Sequence, residues 1–481
     1  MKLAQLLEGV SLSHCTVSRD IDITSVSYDT RNMEPGCLFV ALPGYRTDGH
    51  LYITHALEQG AAVVLCQEPL WEEGPVICCE DTRAALAVIS SNWFGCPQRG
   101  MTLLAVTGTN GKTTTTYLLK EILERCAGAR VGLIGTNRNM IGEKSFPASR
   151  TTPESYDLQK LLRQMADARC THVVMEVSSH ALSLHRVDTL RFAVGIFTNL
   201  TEDHLDFHRT MEEYRRAKGR LFEQCALAVL NLDDEAGRYY KETVPCPVLT
   251  YSENKDEADL TAKNIRLFPE RVEFEAVTLH GISRVRLPIP GGFSIYNALG
   301  GITCALGLGM PLNCVTQALF HVRGVKGRVE VVPVPRLYTV LIDYAHTPDA
   351  LEKILTTVRP LSAGKVICLF GCGGDREKSK RATMGAIAAE LADLVVVTSD
   401  NPRTESPMDI IQDILKGMEM SDTPRVVEPD RRSAIRYALS KAGTGDVVLL
   451  AGKGHETYQE INGVQFHLDE REEIQDFFKK M

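Results

Sequence analysis

Apolar positions along the chain fall into short continuous runs separated by polar or helix-periodic stretches. That is the pattern of strands buried on both faces and alternating with helices. Up to residue 96 the runs at 25–28, 37–42 and 61–66 predict strands among turns. Pro97 and Arg99-Gly100 then interrupt the pattern, which places a boundary near residue 98. Further runs at 102–107, 131–134, 172–175, 192–197 and 226–230 alternate with helical segments. They predict a doubly wound, mostly parallel α/β sheet. After Gly327-Arg328 a second α/β unit is expected, with strands at 339–342, 366–370, 394–397 and 446–450. Three domains follow: 1–98, 99–328 and 329–481.

The last four runs each end in a polar cluster: Asp343-Tyr-Ala-His346, Gly371-Cys-Gly-Gly-Asp-Arg376, Ser399-Asp-Asn-Pro-Arg403 and Gly452-Lys-Gly-His-Glu456. Ligands of open α/β sheets bind beyond the carboxyl ends of the strands, so four such clusters on one edge point to a site. At 481 residues the chain is long enough for two to four domains. A net charge of -8 argues against a nucleic-acid scaffold. Gln5 and Glu8 break the first apolar stretch, so no signal peptide is expected, and no apolar run is long enough for a transmembrane span. The 14 cysteines show no CxxC pairing, which suits a reduced cytoplasm.

The run at 102–107 leads into Gly108-Thr-Asn-Gly-Lys-Thr-Thr-Thr115, and a helix-periodic segment follows at 117–125. Strand, glycine loop and helix start form a phosphate cradle. Gly108 and Gly111 admit backbone N–H groups to an anion, Lys112 adds a mobile charge, and the Thr113 hydroxyl can reach a phosphate-bound Mg²⁺. Val106 stands where the full phosphate-loop pattern has another glycine. Glu176, at the end of a strand run, could hold a second Mg²⁺, although alone it also reads as a helix cap or surface acid. His204 and His208 have zinc-protease spacing, but Leu205 replaces the required Glu, so that chemistry is excluded.

Several motifs occur together and in order: GTNGKTTT, Met175-Glu-Val-Ser-Ser-His180, Asp203-His-Leu-Asp-Phe-His208, Tyr214-Arg-Arg-Ala-Lys-Gly-Arg-Leu-Phe222, Tyr296-Asn-Ala-Leu299, Gly327-Arg-Val-Glu330 and Asp343-Tyr-Ala-His-Thr-Pro348. Their sequence and spacing resemble the Mur ligases, ATP-dependent amino-acid-adding enzymes of peptidoglycan synthesis. The likeness spans residues 20–470. Asp29-Thr-Arg31, Thr151-Thr-Pro153 and Asp400-Asn-Pro-Arg403 resemble the branch that adds the third residue of the peptide.

That resemblance implies a uridine-nucleotide domain, a central ATP-binding domain and a Rossmann-like amino-acid domain. It implies transfer of the ATP γ-phosphate to the D-Glu carboxylate of UDP-MurNAc-L-Ala-D-Glu, then attack by the amine of meso-diaminopimelate. Gly108, Thr109, Asn110, Gly111, Lys112, Thr113, Thr114, Asn297, Arg328 and Asp343 match ATP contacts. Asn297 by itself reads as a helix N-cap. Thr113, Glu176, His204 and Lys218 match ligands of two Mg²⁺ ions, with Lys218 carbamylated by CO2; without the motif, Lys218 reads as an exposed helical lysine. Lys112, Lys218 and His204 are the implied catalytic groups.

Thr30, Thr151, Thr152, Ser178 and Arg186 match contacts to the UDP-dipeptide. Leu184 and Arg150 stand where relatives commonly carry Gln and Asn. Arg376, Asp400, Asn401, Pro402, Arg403, Gly452 and Glu456 match the diaminopimelate site, where Arg403 would pair with the distal carboxylate and Asp400 and Glu456 with ammonium groups. Small-molecule substrates, no nucleic acid and a cytoplasmic monomer complete the expectation. The alternatives are an L-lysine-adding ligase of the family, a folylpolyglutamate-type synthetase, and a non-catalytic module switched by ATP.

Overall fold

A computed structural model describes residues 1–15, 17–44, 47–68, 74–322 and 324–479. Two compact units make up the chain. The first comprises Met1–Tyr251, Glu257–Asp259 and Thr303–Met310, and the second Ser252–Asp256, Leu260–Ile302 and Pro311–Met481.

The first unit opens with a small sheet. The strands Val76–Cys78, Val63–Cys66, Leu38–Val40 and Val26–Ser27 run parallel in that order, and His14–Cys15 pairs antiparallel at the edge. The helix Thr82–Trp93 covers it, with the Asp81 carboxylate accepting from the N–H groups of Arg83 and Ala84.

A larger parallel sheet follows, ordered Val248–Ser252, Ala228–Asn231, Val194–Phe197, Thr102–Thr107, His172–Glu176 and Val131–Ile134. Its strands are almost wholly buried, which is why the sequence shows them as unbroken apolar runs. The chain leaves Thr102–Thr107 toward one side of the sheet and later builds outward from Val194–Phe197 on the other. The crevice between these two strands is therefore the switch point, where this architecture binds ligands.

Residues 260–287 in the second unit depart from the expected strand and helix alternation. They form three antiparallel strands, Leu260–Phe268, Arg271–Thr278 and Gly281–Leu287. One face of this meander is solvated, and charged positions such as Lys263, Arg266, Glu275 and Arg284 interrupt its apolar signal. The C-terminal sheet is ordered Glu330–Val332, Thr339–Asp343, Val447–Ala451, Val366–Phe370, Leu394–Val397 and Arg425–Val427, parallel except for the first strand. The four expected strands are all present. Asp343 lies opposite Ala451, and Phe370 opposite Val397, so the four polar clusters emerge at one edge.

Candidate functional site

The phosphate loop is fastened to the neighbouring strand end. Asn110 N donates to Asn199 Oδ1 at 2.9 Å, Thr198 Oγ1 donates to Asn110 O at 2.6 Å, and Thr109 N donates to Asn199 O at 2.8 Å. Gly108 has φ 142°, and a Cβ there would lie 1.9 Å from Thr198 Oγ1, so only glycine permits this approach. Gly111 precedes the helix Lys112–Ala127, whose first turn contains Thr113 and Thr114. Lys112 Nζ curls back over the loop and donates to Gly108 O at 2.9 Å and Thr109 O at 2.8 Å.

Lys218 reaches the same loop from the helix Met211–Gly219. It is buried, 1% exposed, contrary to the exposed position its charged neighbours predict. Tyr214, Lys218 and Leu221 recur at helical spacing on a face that is buried, which carries the lysine inward. Lys218 Nζ donates to Gly108 O at 2.8 Å and lies 4.4 Å from the Tyr214 ring centre. Burial, reinforced by the nearby Lys112 cation, holds its amine well below the ordinary lysine range.

His204 begins the helix Leu205–His208 in the left-handed region and is half-exposed. Its ring centre is 4.9 Å from that of His180 and 6.1 Å from that of Tyr214. His208 is buried, stacks on Tyr214 and hydrogen-bonds Ser179 Oγ at 2.8 Å. Burial, with His180 and Lys218 beside it, pushes the His208 imidazole down to about 4.

Glu176 is fully buried rather than a cap or a surface acid. Its Oε1 accepts from Thr136 N at 2.8 Å and its Oε2 from Thr136 Oγ1 at 3.0 Å. Thr136 Oγ1 lies 3.0 Å from Thr151 Oγ1. Thr152 Oγ1 donates to Glu176 O at 2.9 Å and accepts from Ser178 N at 3.1 Å. Thr151, Thr152 and Ser178 are thus gathered around the strand end that presents Glu176.

Arg186 Nη1 donates to Thr152 O at 3.1 Å and its Nε to Glu154 Oε2 at 3.2 Å. Arg83 donates to the same carboxylate oxygen at 3.1 Å, and Arg150 Nη1 stands 3.8 Å from it. Three guanidinium groups share one buried acid, leaving an excess of positive charge. Arg150, a departure from the family pattern, belongs to this cluster. Leu184 ends the short helix Ser179–Ser183. Thr30 starts a turn capped by Asp29, and the adjoining Tyr28 hydroxyl donates to Asp157 Oδ2 at 2.5 Å.

The second unit gathers the other candidates. Asn297 lies inside the helix Phe293–Gly307 and is buried, so it is not the N-cap that its sequence position suggests. Asp343 Oδ2 accepts from Val329 N and its Oδ1 from Ala345 N, both at 2.8 Å; burial raises its pKa. Arg328 lies over the Tyr344 ring, and its buried Nε finds no hydrogen-bond partner among the described residues. A buried guanidinium N–H left in this state suits an anionic ligand.

At the strand edge, Asp400 and Asn401 are buried, and Pro402 follows them. Gly452 has φ 107°, and a Cβ there would sit 2.8 Å from Asp400 Oδ2, so glycine leaves this carboxylate its space. Arg403 Nη1 donates to Gly374 O at 2.8 Å, and its Nε is 3.2 Å from Glu460 Oε2. It is an engaged side chain on a structured turn. Glu456 Oε2 accepts from Asn401 Nδ2 at 2.9 Å. Arg376 is exposed on the preceding loop.

Thr136, Glu154, His180, Tyr214, Lys453 and Glu460 are neighbours of these groups that motif spacing did not single out, and His208, noted only for its zinc-protease spacing, is another. His180, His208 and Tyr214 lie within the matched motifs. Thr136 and Glu154 carry no sequence signal, because their partners come from distant strands and helices.

Family models match three stretches: the Mur ligase family catalytic domain over residues 22–93, the middle domain over 106–305 and the glutamate ligase domain over 327–454. The chain belongs to the Mur ligase family. Among curated Mur ligases, it is 47% identical to the UDP-N-acetylmuramoyl-L-alanyl-D-glutamate--2,6-diaminopimelate ligase of Caldanaerobacter subterraneus subsp. tengcongensis, over 99% of this chain and 98% of that one. It is 44% identical to the enzyme of the same name from Clostridium perfringens, over the full length of both. A solved structure of a ligase of that name superposes with a TM-score of 0.75 at 30% identity, covering 100% of this chain and 99% of the other. The three-domain α/β fold expected from the resemblance is the fold of this Mur ligase.

Proposed function

We propose that this Mur ligase joins meso-diaminopimelate to the D-Glu carboxylate of UDP-MurNAc-L-Ala-D-Glu, converting ATP to ADP and phosphate in the cytoplasm as a monomer. The observation that carries the reading is the C-terminal sheet edge. Two acids, Asp400 and Glu456, stand there with the buried Lys453 ammonium, and the Arg403 guanidinium lies on the turn that follows Asp400, a charge pattern that suits an amino acid bearing ammonium groups and a distal carboxylate. The activity for which the full-length relatives are named supports the same substrate.

A carboxylate resists attack by an amine, so it is first activated. A carboxylate oxygen of D-Glu takes the γ-phosphoryl group and ADP leaves. The amine then attacks the carbonyl carbon, phosphate departs and the nitrogen loses a proton. Backbone N–H groups of the loop at 108–114 and Lys112 Nζ would hold the phosphates. Asn297, Arg328 and Asp343 would contact the nucleotide. The UDP-dipeptide would meet Thr30, Thr151, Thr152, Ser178 and Arg186, and the amino acid would meet Arg376, Asp400, Asn401, Pro402, Arg403, Gly452 and Glu456.

The donor set in the first unit fits Mg²⁺. Thr113 offers a hydroxyl, and each Glu176 oxygen keeps a lone pair beyond its bond to Thr136. His204 would complete one site. Lys218 fits carbamylation, because only a neutral amine adds to CO2 and burial favours that form. Magnesium, when bound, supplies positive charge against the developing phosphoryl oxygens.

Purified protein is expected to release phosphate only when the UDP-dipeptide and meso-diaminopimelate are both present, with the tripeptide product identified by mass. Equal or faster turnover with L-lysine would overturn the choice of amino acid and leave the ligase reaction standing.

A further inference from the structure

Lys453 is a buried cation in the loop after Val447–Ala451, with no exposed surface. Its Nζ donates to Asn401 Oδ1 at 2.9 Å and to Glu456 Oε2 at 2.9 Å, and it lies 4.0 Å from Asp400 Oδ1. Asn401 Nδ2 donates to that same Glu456 oxygen, and Asn401 Oδ1 also accepts from Glu460 N at 3.0 Å. Both bonds to Glu456 therefore fall on Oε2, and this network makes no use of Oε1. The cluster holds two carboxylates and one ammonium, so it keeps one excess negative charge.

Removing a lysine from water is costly, and apolar packing of similar volume would hold the fold as well. Its retention here calls for a role tied to the groups it touches. We infer that Lys453 is a positioning residue for the amine substrate. It fixes Asn401 and Glu456 in one arrangement, so that an incoming ammonium meets an ordered acceptor and a single excess negative charge. The inference rests on the proposed reaction, in which Asp400 and Glu456 receive the amino acid.

A double-mutant cycle of Lys453→Met, Glu456→Gln and the pair tests it, with KM measured for each of the three substrates. Lys453→Met is expected to raise KM for meso-diaminopimelate about 10- to 150-fold, the range of a lost charged hydrogen bond. KM for the UDP-dipeptide stays at the parent value, because its proposed contacts lie in the first unit. The pair is expected to fall well short of the product of the two single effects, because Lys453 acts in large part through that carboxylate.

A fall in kcat with KM for the amino acid unchanged would overturn the role, as would effects that multiply in the pair. If Lys453→Met does not fold, comparing the pair with Glu456→Gln decides the matter, since the pair leaves neither of those two charges unmatched. A parent enzyme that turns over L-lysine instead of meso-diaminopimelate would fail the substrate reading. The cycle is then read with lysine, whose ammonium would meet the same acids.

Discussion

At the residue scale, Lys218 shows most directly what a one-dimensional reading loses. Charged neighbours make it look solvated, yet its spacing from Tyr214 and Leu221 turns it toward the phosphate loop. The signal was present as a helical stripe that included a lysine. Such a position works against stability. Burial lowers the pKa of the folded lysine below its unfolded value, so between the two values the unfolded chain binds more protons. The resulting loss of stability is complete below the folded pKa and disappears as pH rises through the unfolded value near 10.5. In CO2-free buffer, Lys218→Met is therefore expected to melt above the parent at pH 7, and scanning calorimetry should find the gap narrowing toward pH 10. The same variant should lose ligase activity. A melting temperature below the parent at pH 7 would show that the Lys218 bond to Gly108 O outweighs the cost of burial.

At the element scale, legibility followed burial. Strands buried on both faces, such as Val366–Phe370 and Val447–Ala451, stand out as apolar runs, and the polar clusters after them emerge at one edge of the sheet. The meander at 260–287 was missed because a half-solvated sheet mixes Arg, Lys and Glu into its strands. Short edge strands, such as Arg425–Val427, were missed because three residues carry too little pattern. Contacts between elements were equally silent. Arg431 and Glu470 are fully buried and paired at 2.7 Å, and Arg431 also donates to Ser399 O at 3.2 Å and Ala451 O at 2.9 Å. This arginine links two helices to the ends of two site strands. Glu470→Ala would leave the guanidinium buried without its carboxylate, a loss of about 3–5 kcal/mol. Urea unfolding should report a lower midpoint, and KM for meso-diaminopimelate should rise as the ends near Ser399 and Ala451 loosen. A change within the error of the measurement would mean that backbone carbonyls alone satisfy Arg431.

At the scale of the whole molecule, activation and choice of amine are proposed to use residues from different parts of the chain. The phosphate loop, Glu176 and Lys218 belong to the first compact unit, and Arg403, Asp400 and Glu456 to the second. Motif resemblance named both groups, because each of these residues lies within a short matched segment. The supporting residues Thr136, Glu154 and Lys453 required three-dimensional pairing to appear. Arg403 is not among the proposed ATP contacts, which makes the functions separable. Lysine and diaminopimelate differ by the distal carboxylate, and a charge-assisted pair with Arg403 is worth roughly 1.5–3 kcal/mol, or about 10- to 150-fold in selectivity. Arg403→Ala is expected to lower kcat/KM for meso-diaminopimelate by that factor and to affect L-lysine far less, so that the preference collapses. Acyl phosphate formation is proposed to depend on the first group with Asn297, Arg328 and Asp343, and not on Arg403, so it should survive, detectable as hydroxamate when hydroxylamine replaces the amine. Loss of the hydroxamate together with the peptide product would place Arg403 in activation itself, and an unchanged preference would move discrimination to Arg376.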